Sequence, residues 1–429
     1  MSKKNFIILL TVLFFHTQME GVLLVGTAKT NITPPIGTPS AGYAERRNVG
    51  MTSVHDPLYA TTIFIYNGLK KVALCSVDNF GYLYPMTSQI KAIVNATPGL
   101  EDCEVFIFSS NTSSGSGAIY QIPIIEQLLS GPYDPVIAEF NITQTVKSIL
   151  LASQNIQPAL LGVGYTQAPE NLGVYRSTWP EDVQPSNDIT VIKITKLDNT
   201  PLAVIFNYAL KATALGPENL AFSADYIGYA RTYLQALLGS NVEVGFINGA
   251  SAEIIPNDSQ FKSFALCDFI GKSLAQAVFA AWPNIGVSSD LNISILKDPY
   301  LLLPQPSTGG FSIGDEPYPT EINAITFNNL HNFITIPGEL SCVYYYFLQR
   351  FGPTFGLRTS VFGLANDAQG YIITPEAYAK GTQESAFSFG GPAYGAYVIS
   401  KVARLINIFF NPFASYVYPD LPVIPLPAN

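Results

Sequence analysis

Charge is what this chain has least of. Only 12% of its 429 residues are Asp, Glu, Lys or Arg, and acidic residues outnumber basic ones by 31 to 22. Binding a phosphate backbone needs a basic face, so no nucleic-acid partner is expected. No block of like charges marks a solvated tail. Histidine is nearly absent, with His16, His55 and His331 the complete set. That leaves little imidazole for a metal centre or for proton transfer. The four cysteines, Cys75, Cys103, Cys267 and Cys342, have no metal-ligand spacing. In an oxidising compartment they have three possible pairings, or they stay as buried thiols. Cys75, inside the apolar run Val72-Ala73-Leu74-Cys75, reads as buried. Beyond the N-terminus no segment reads as long and apolar enough to span a bilayer.

What is present is apolar and aromatic. Hydrophobic residues make up 48% of the chain, with 27 Phe and 24 Tyr, which is ample surface for a core and excludes a disordered chain. The length suits one large domain with elaborations. The first residues read as a secretory signal. Lys3 and Lys4 form a basic start, Phe6 to Phe15 an apolar stretch too short to span, and cleavage falls near Gly21. The expectation is a signal peptide over 1–21 and a secreted or extracytoplasmic domain over 22–429. Sequons at Asn31, Asn95, Asn111, Asn141, Asn257 and Asn292 would make it a glycoprotein where the source glycosylates.

Short apolar runs alternate with longer amphipathic ones, which predicts an α/β fold: a single domain of mixed β-sheets with flanking helices. Strands are predicted at 61–66, 71–77, 104–109, 159–165, 189–196, 202–208, 242–247, 290–296, 322–327 and 332–336. Helices are predicted at 85–95, 134–153, 224–238, 260–281, 339–350 and 392–409. Asp198-Asn199 reads as a hairpin turn. Ser223 is a candidate N-cap for the helix entered at Ser223-Ala224-Asp225-Tyr226, and capping is also the role read for Asp225. The Pro-, Gly- and Ser-rich stretch from Pro304 to Pro319 reads as a loop, and the Pro-rich chain after Pro412 as an irregular strap.

The most informative stretch is Phe108-Ser109-Ser110-Asn111-Thr112-Ser113-Ser114-Gly115-Ser116-Gly117, a small polar loop following the run Glu104 to Phe108. It resembles the metal-binding loop of the neutral/alkaline ceramidases with its histidines replaced by Asn111 and Ser113. Further segments resemble that family's N-terminal catalytic domain in the same order. They are Thr27 to Pro35, Gly42-Tyr43, His55-Asp56-Pro57-Leu58-Tyr59-Ala60, Val77-Asp78, Asn207 to Thr213, Leu215 to Asn219, Ser223 to Tyr226, Asn248 to Ala252, Ile336 to Glu339 and Gly370 to Tyr378. The resemblance runs from residue 24 to about 400 and leaves out the family's C-terminal Ig-like domain.

The resemblance implies a zinc amidase that cleaves the amide of ceramide. It also implies where the site would lie. The metal positions fall on Asn111, Ser113, Lys211, Glu339 and Tyr371, the serine nucleophile on Ile255, and a second active-site tyrosine on Gln383. With the histidines and the serine gone, no zinc is expected and the chain leans towards a pseudoenzyme that keeps a lipid or ceramide-like ligand. In this reading Lys211 replaces the metal's charge and pairs with Glu339. A rebuilt amidohydrolase is the alternative. It would use a metal site drawn from residues such as His55, Asp78, Glu339 and Tyr371, or a Ser-Lys pair of Ser113 or Ser114 with Lys211, the Asn111 loop donating to an oxyanion. Asp78 and Asp225 are candidates for orienting neighbours. A third reading is a secreted structural or interaction glycoprotein, its pocket crossed by a glycan on Asn111. Contact with a membrane surface and the oligomeric state stay open.

Overall fold

The computed structural model describes residues 22–178, 183–257, 261–351, 353 and 356–410. The leader at 1–21 and the chain after Pro412 lie outside the described residues. Eight strands form the larger sheet. These are β1 (Leu24–Asn31), β2 (Tyr59–Tyr66), β3 (Lys71–Val77), β4 (Glu104–Ser109), β5 (Gln157–Gln167), β6 (Asp188–Lys196), β7 (Pro201–Tyr208) and β8 (Glu243–Asn248). Their spatial order is β8-β7-β6-β5-β1-β2-β3-β4. The outermost pairs, β8–β7 and β3–β4, are parallel and the inner pairs antiparallel. A smaller sheet holds β9 (Ile293–Leu302), β10 (Tyr318–Phe327), β11 (His331–Thr335) and β12 (Arg358–Phe362), with only β11–β12 parallel. The principal helices are α1 (Tyr84–Asn95), α2 (Pro135–Gln154), α3 (Tyr226–Leu238), α4 (Phe264–Ala281), α5 (Cys342–Phe351) and α6 (Tyr394–Phe410). The chain is thus of the mixed α/β class that the sequence predicts.

The period-2 alternation of the strands sorts the core into layers. In β7, Val204 and Phe206 cluster with α3 and α4, while Ala203 and Ile205 join a core shared with the smaller sheet. In β3, Ala73 and Cys75 join α1 and α2, while Val72 and Leu74 join the inter-sheet core. That inner core is aromatic: Phe333 stacks on Phe362 at 4.8 Å, and Phe108 meets Phe362 edge-on at 5.6 Å. The far side of the smaller sheet packs under Val398, Val402 and Ile406 of α6. The result is helix, sheet, sheet, helix, with strand ends and their loops free to build a site.

Every predicted strand and helix has a counterpart, and the differences have physical causes. Two strands of the two main sheets, and the two- and three-residue strands outside them, escaped the pattern. β1 is interrupted by Gly26, where a Cβ would lie 2.0 Å from the Ala152 carbonyl, so the close approach of α2 requires glycine. β12 opens on Arg358-Thr359-Ser360, polar residues that mask a buried strand. The N-cap of α3 is Asp225, not Ser223: its carboxylate accepts from Tyr226 N at 2.7 Å at a φ of 58°, and the Ser223 hydroxyl donates to Asp56. The helix expected over 339–350 begins at Cys342 instead, and Glu339–Leu340 is a short strand. One segment, Phe264–Asn284, is in fact long and apolar enough by length and composition to cross a membrane. Its Cys267, Ile270, Leu274 and Val278 lie in the core. All four cysteines are buried and unpaired.

Candidate functional site

Five strand ends converge to build the site. Lys211 lies just past β7, and its N–H donates to the Ile254 carbonyl at 3.1 Å. Glu339–Leu340 pairs in parallel with Tyr371–Ile372, so Glu339 and Tyr371 stand directly in register although 32 positions apart in sequence. Arg176 follows the strand Gly173–Tyr175, which pairs with Ile254–Pro256. The Asn111 loop continues β4. Together these residues line a cavity of about 390 Å³.

The Lys211 ammonium donates to the Glu339 carboxylate in a buried ion pair, with Lys211 3% and Glu339 4% exposed. It also donates to the Tyr371 hydroxyl at 3.1 Å and lies 4.3 Å from the centre of that ring. Arg176 reaches the same hydroxyl from the other side at 3.0 Å and holds Glu384 at 2.9 Å. Burial pulls the Arg176 guanidinium down, but Tyr371 and Glu384 outweigh it and hold its pKa above the usual arginine value. Two cations and two carboxylates thus meet around one phenol. Arg176 and Glu384 were not singled out from sequence, because nothing local to either signals the partner across the fold.

Asn111 is 1% exposed at a φ of 66°, and its side-chain Nδ2 has no partner. Its loop is fixed from beneath by Arg46. The Arg46 guanidinium donates to the Ser113 carbonyl and the Ser40 hydroxyl, and to Gly216 O at 3.2 Å, Pro217 O at 3.2 Å and Ser114 Oγ at 3.4 Å. Burial lowers its pKa to about 10. The loop's own donors are occupied. Asn111 N donates to Asn79 O at 2.9 Å, Ser113 N to Ala212 O at 3.3 Å and Ser114 N to Thr112 Oγ1 at 3.2 Å. An oxyanion would find none of these three backbone donors free. The Ser114 hydroxyl faces Arg46 and Asn219, and no hydrogen bond joins Ser113 or Ser114 to Lys211 among the described residues. The Ser-Lys arrangement is therefore not assembled.

The remaining candidates divide. Gln383 lines the cavity, as do Asn111, Ser113, Lys211, Glu339 and Tyr371. His55, Asp78, Asp225 and Ile255 are not among its lining. His55 is exposed, stacked on Phe264 at 3.8 Å and bonded to the Tyr229 hydroxyl at 3.0 Å. Asp78 takes both its carboxylate oxygens to Arg231, at 2.9 and 2.7 Å, tying the end of β3 to α3. Asp225 caps α3 and binds Ala214 N and Leu215 N, and burial pushes its carboxyl up to about 6 despite those donors. The Asn111 and Asn141 sequons are buried, at 1% and 0% exposure, so the folded chain offers no room for a glycan on either.

No family model matches the sequence, and no curated protein sequence matches it. Solved structures do match by shape. The neutral ceramidase from Pseudomonas aeruginosa superposes with a TM-score of 0.79 over 93% of this chain and 76% of that one, at 16% identity. A structure described as ceramidase complexed with C2 gives 0.79 over 94% and 78%, also at 16%. The fold is therefore ceramidase-like, and at this identity the likeness is one of fold alone.

The donor set does not make a zinc site. Zinc takes four ligands from thiolate, imidazole and carboxylate. The residues at the expected metal positions are one carboxylate, a phenol, a hydroxyl, a side-chain amide and an ammonium. A protonated lysine has three donors and no lone pair, and this one already occupies the carboxylate. Among the described residues no group of three His, Cys, Asp or Glu side chains is spaced to hold an ion.

Proposed function

We propose that this protein uses a ceramidase-like scaffold to bind an amide-bearing amphiphile and does not perform zinc-dependent ceramide hydrolysis. One observation carries the reading: the Lys211 ammonium sits on Glu339 and Tyr371 inside the cavity. An ammonium can donate to an amide carbonyl, but it has no vacant orbital to polarise one as a Lewis acid, and it does not generate hydroxide. The unpartnered Nδ2 of Asn111 supplies a second donor for the same carbonyl. The ligand class is suggested by the two structural neighbours, whose names speak of ceramidase and of C2. Export from the cell belongs to the proposal and is supported by the basic-then-apolar leader.

The test is made on the purified mature protein. Metal content and hydrolysis of a labelled short-chain ceramide are measured before and after chelation, with Lys211→Ala alongside. The expected result is substoichiometric zinc and no turnover in either protein. Stoichiometric zinc with chelator-sensitive turnover would overturn the reading.

A further inference from the structure

The neighbours of the Tyr371 hydroxyl decide where its hydrogen goes. A phenol oxygen accepts through its lone pairs and donates through a single hydrogen. Here the oxygen accepts from Lys211 Nζ at 3.1 Å and from Arg176 Nη2 at 3.0 Å. Both partners are cations, and neither an ammonium nor a guanidinium can accept in return. The Glu339 carboxylate, across the strand pair from Tyr371, is taken by Lys211. Among the described residues no acceptor is bonded to the Tyr371 O–H. Tyr371 lines the Lys211 cavity, so its uncommitted hydrogen is offered there. The fold holds the phenol in this state. Its ring centre lies 4.3 Å from Lys211 Nζ and 5.8 Å from the Arg176 guanidinium carbon. Gly370, just before it, has a φ of 80°, and a Cβ there would lie 2.3 Å from the Phe387 carbonyl oxygen, so this entry to the strand requires glycine. Two charged donors on one oxygen also polarise its O–H and strengthen it as a donor. The cavity's other tyrosine, Tyr43, commits its hydrogen to Leu215 O at 2.8 Å.

We infer that Tyr371 is the specificity-determining donor of the site. Its O–H, joined by the unpartnered Nδ2 of Asn111, selects a ligand that presents a bare acceptor, a carbonyl oxygen, and excludes one that offers only donors. This rests on the reading of the Lys211 cavity as the amide site. It gives Tyr371 a task distinct from that of Lys211. The ammonium supplies charge, whereas the phenol, fixed from two sides, supplies direction.

Binding of N-octanoyl ethanolamine, of its thioamide analogue and of octylammonium is measured by calorimetry on the purified protein and on Tyr371→Phe. The substitution keeps the ring and removes only the hydroxyl, and the thioamide keeps the ligand's shape while weakening its acceptor. The parent is expected to prefer the amide to the thioamide about tenfold and to leave octylammonium unbound. Tyr371→Phe should cut that preference about fivefold, the factor that one hydrogen bond of ordinary strength supplies. An unchanged preference in a variant with a cooperative melt would overturn the inference, and so would octylammonium binding as tightly as the amide. Where the variant does not fold, the parent decides. Its near-ultraviolet tyrosine absorption should move to longer wavelength as the amide binds, as it does when a phenol begins to donate; bound amide without that shift would overturn the inference. Failure of the parent to bind either carbonyl compound would instead remove the amide-site reading, and the role of Tyr371 with it.

Discussion

Removing the Lys211 ammonium should expose how the site is balanced. Lys211→Met keeps the apolar stem but leaves Glu339, at 4% exposure, without its counter-charge. Breaking one side of a buried pair costs about 3–5 kcal/mol, because the remaining charge is still desolvated. For a chain of this size about 1.2 °C of Tm is lost per kcal/mol, which gives a fall of roughly 4–6 °C. Glu339→Gln leaves the ammonium with an amide oxygen and the Tyr371 hydroxyl, so its cost should be smaller, about 2–3 kcal/mol. The double variant removes both charges together. Its cost should fall short of the sum of the single costs by at least about 2 kcal/mol, the signature of a direct contact. Urea titration or calorimetry of the four proteins completes the cycle. A Tm for Lys211→Met within about 1 °C of the parent would refute the reasoning, since an ammonium facing solvent behaves in that way. Strict additivity in the double variant would refute it as well, by showing that the two charges do not share one site.

Two other perturbations separate the parts of the fold that hold the site. Burial pushes the Asp367 carboxyl up to about 7, well above its value in an unfolded chain. The native state then holds a proton that the unfolded state has lost, so this group's contribution to stability grows as pH falls through about 7 and is complete only near pH 4. Against Asp367→Asn, the parent should gain on the order of 2 kcal/mol between pH 8 and pH 5, read as a difference in Tm profiles; parallel profiles would refute it. Arg46→Met should leave the carbonyls of Ser113 and Pro217 without their donor and Gly216 O with Asn219 N alone, costing about 2–3 kcal/mol. Amide exchange should quicken over 111–117 while the β7 amides stay protected, and uniform quickening would argue against a local clamp.

The sheet strands were legible because each face of a buried strand is apolar over several residues, as in Val72-Ala73-Leu74-Cys75. The site was legible only through residue identity, and only in part. Lys211 and Glu339 are 128 positions apart, and their pairing depends on a register between Glu339 and Tyr371 that no local pattern records. The run after Glu339 has a helical apolar period, so the residue reads as helix; the actual helix starts three positions on, leaving Glu339 in the strand that aims it at the cavity. Arg176 was invisible for the opposite reason. It follows a three-residue strand with no motif around it, and its role exists only through Tyr371 and Glu384. His55 and Asp78 misled because polar residues in a family-like segment are also what ties elements together, and here His55 is committed to Tyr229 and Phe264 and Asp78 to Arg231 and Tyr59 N.

The charge count around Tyr371 shows how this cluster is balanced without imidazole. Glu339 and Glu384 bring two buried negative charges to one small volume, and each would be costly alone. Lys211 and Arg176 bring two positive charges on side chains long enough to reach them, and both also donate to the phenol between them. The set is neutral, with Lys211, Arg176, Glu339 and Tyr371 on or beside strand ends and Glu384 on the short helix Gln383–Phe387. A fixed ammonium and a fixed guanidinium can orient a carbonyl by donating to it. They cannot supply the electrophile or the hydroxide that cleaving an amide through a metal requires. On the proposed reading, the cation that these residues place in the cavity orients the amide carbonyl of a bound ligand.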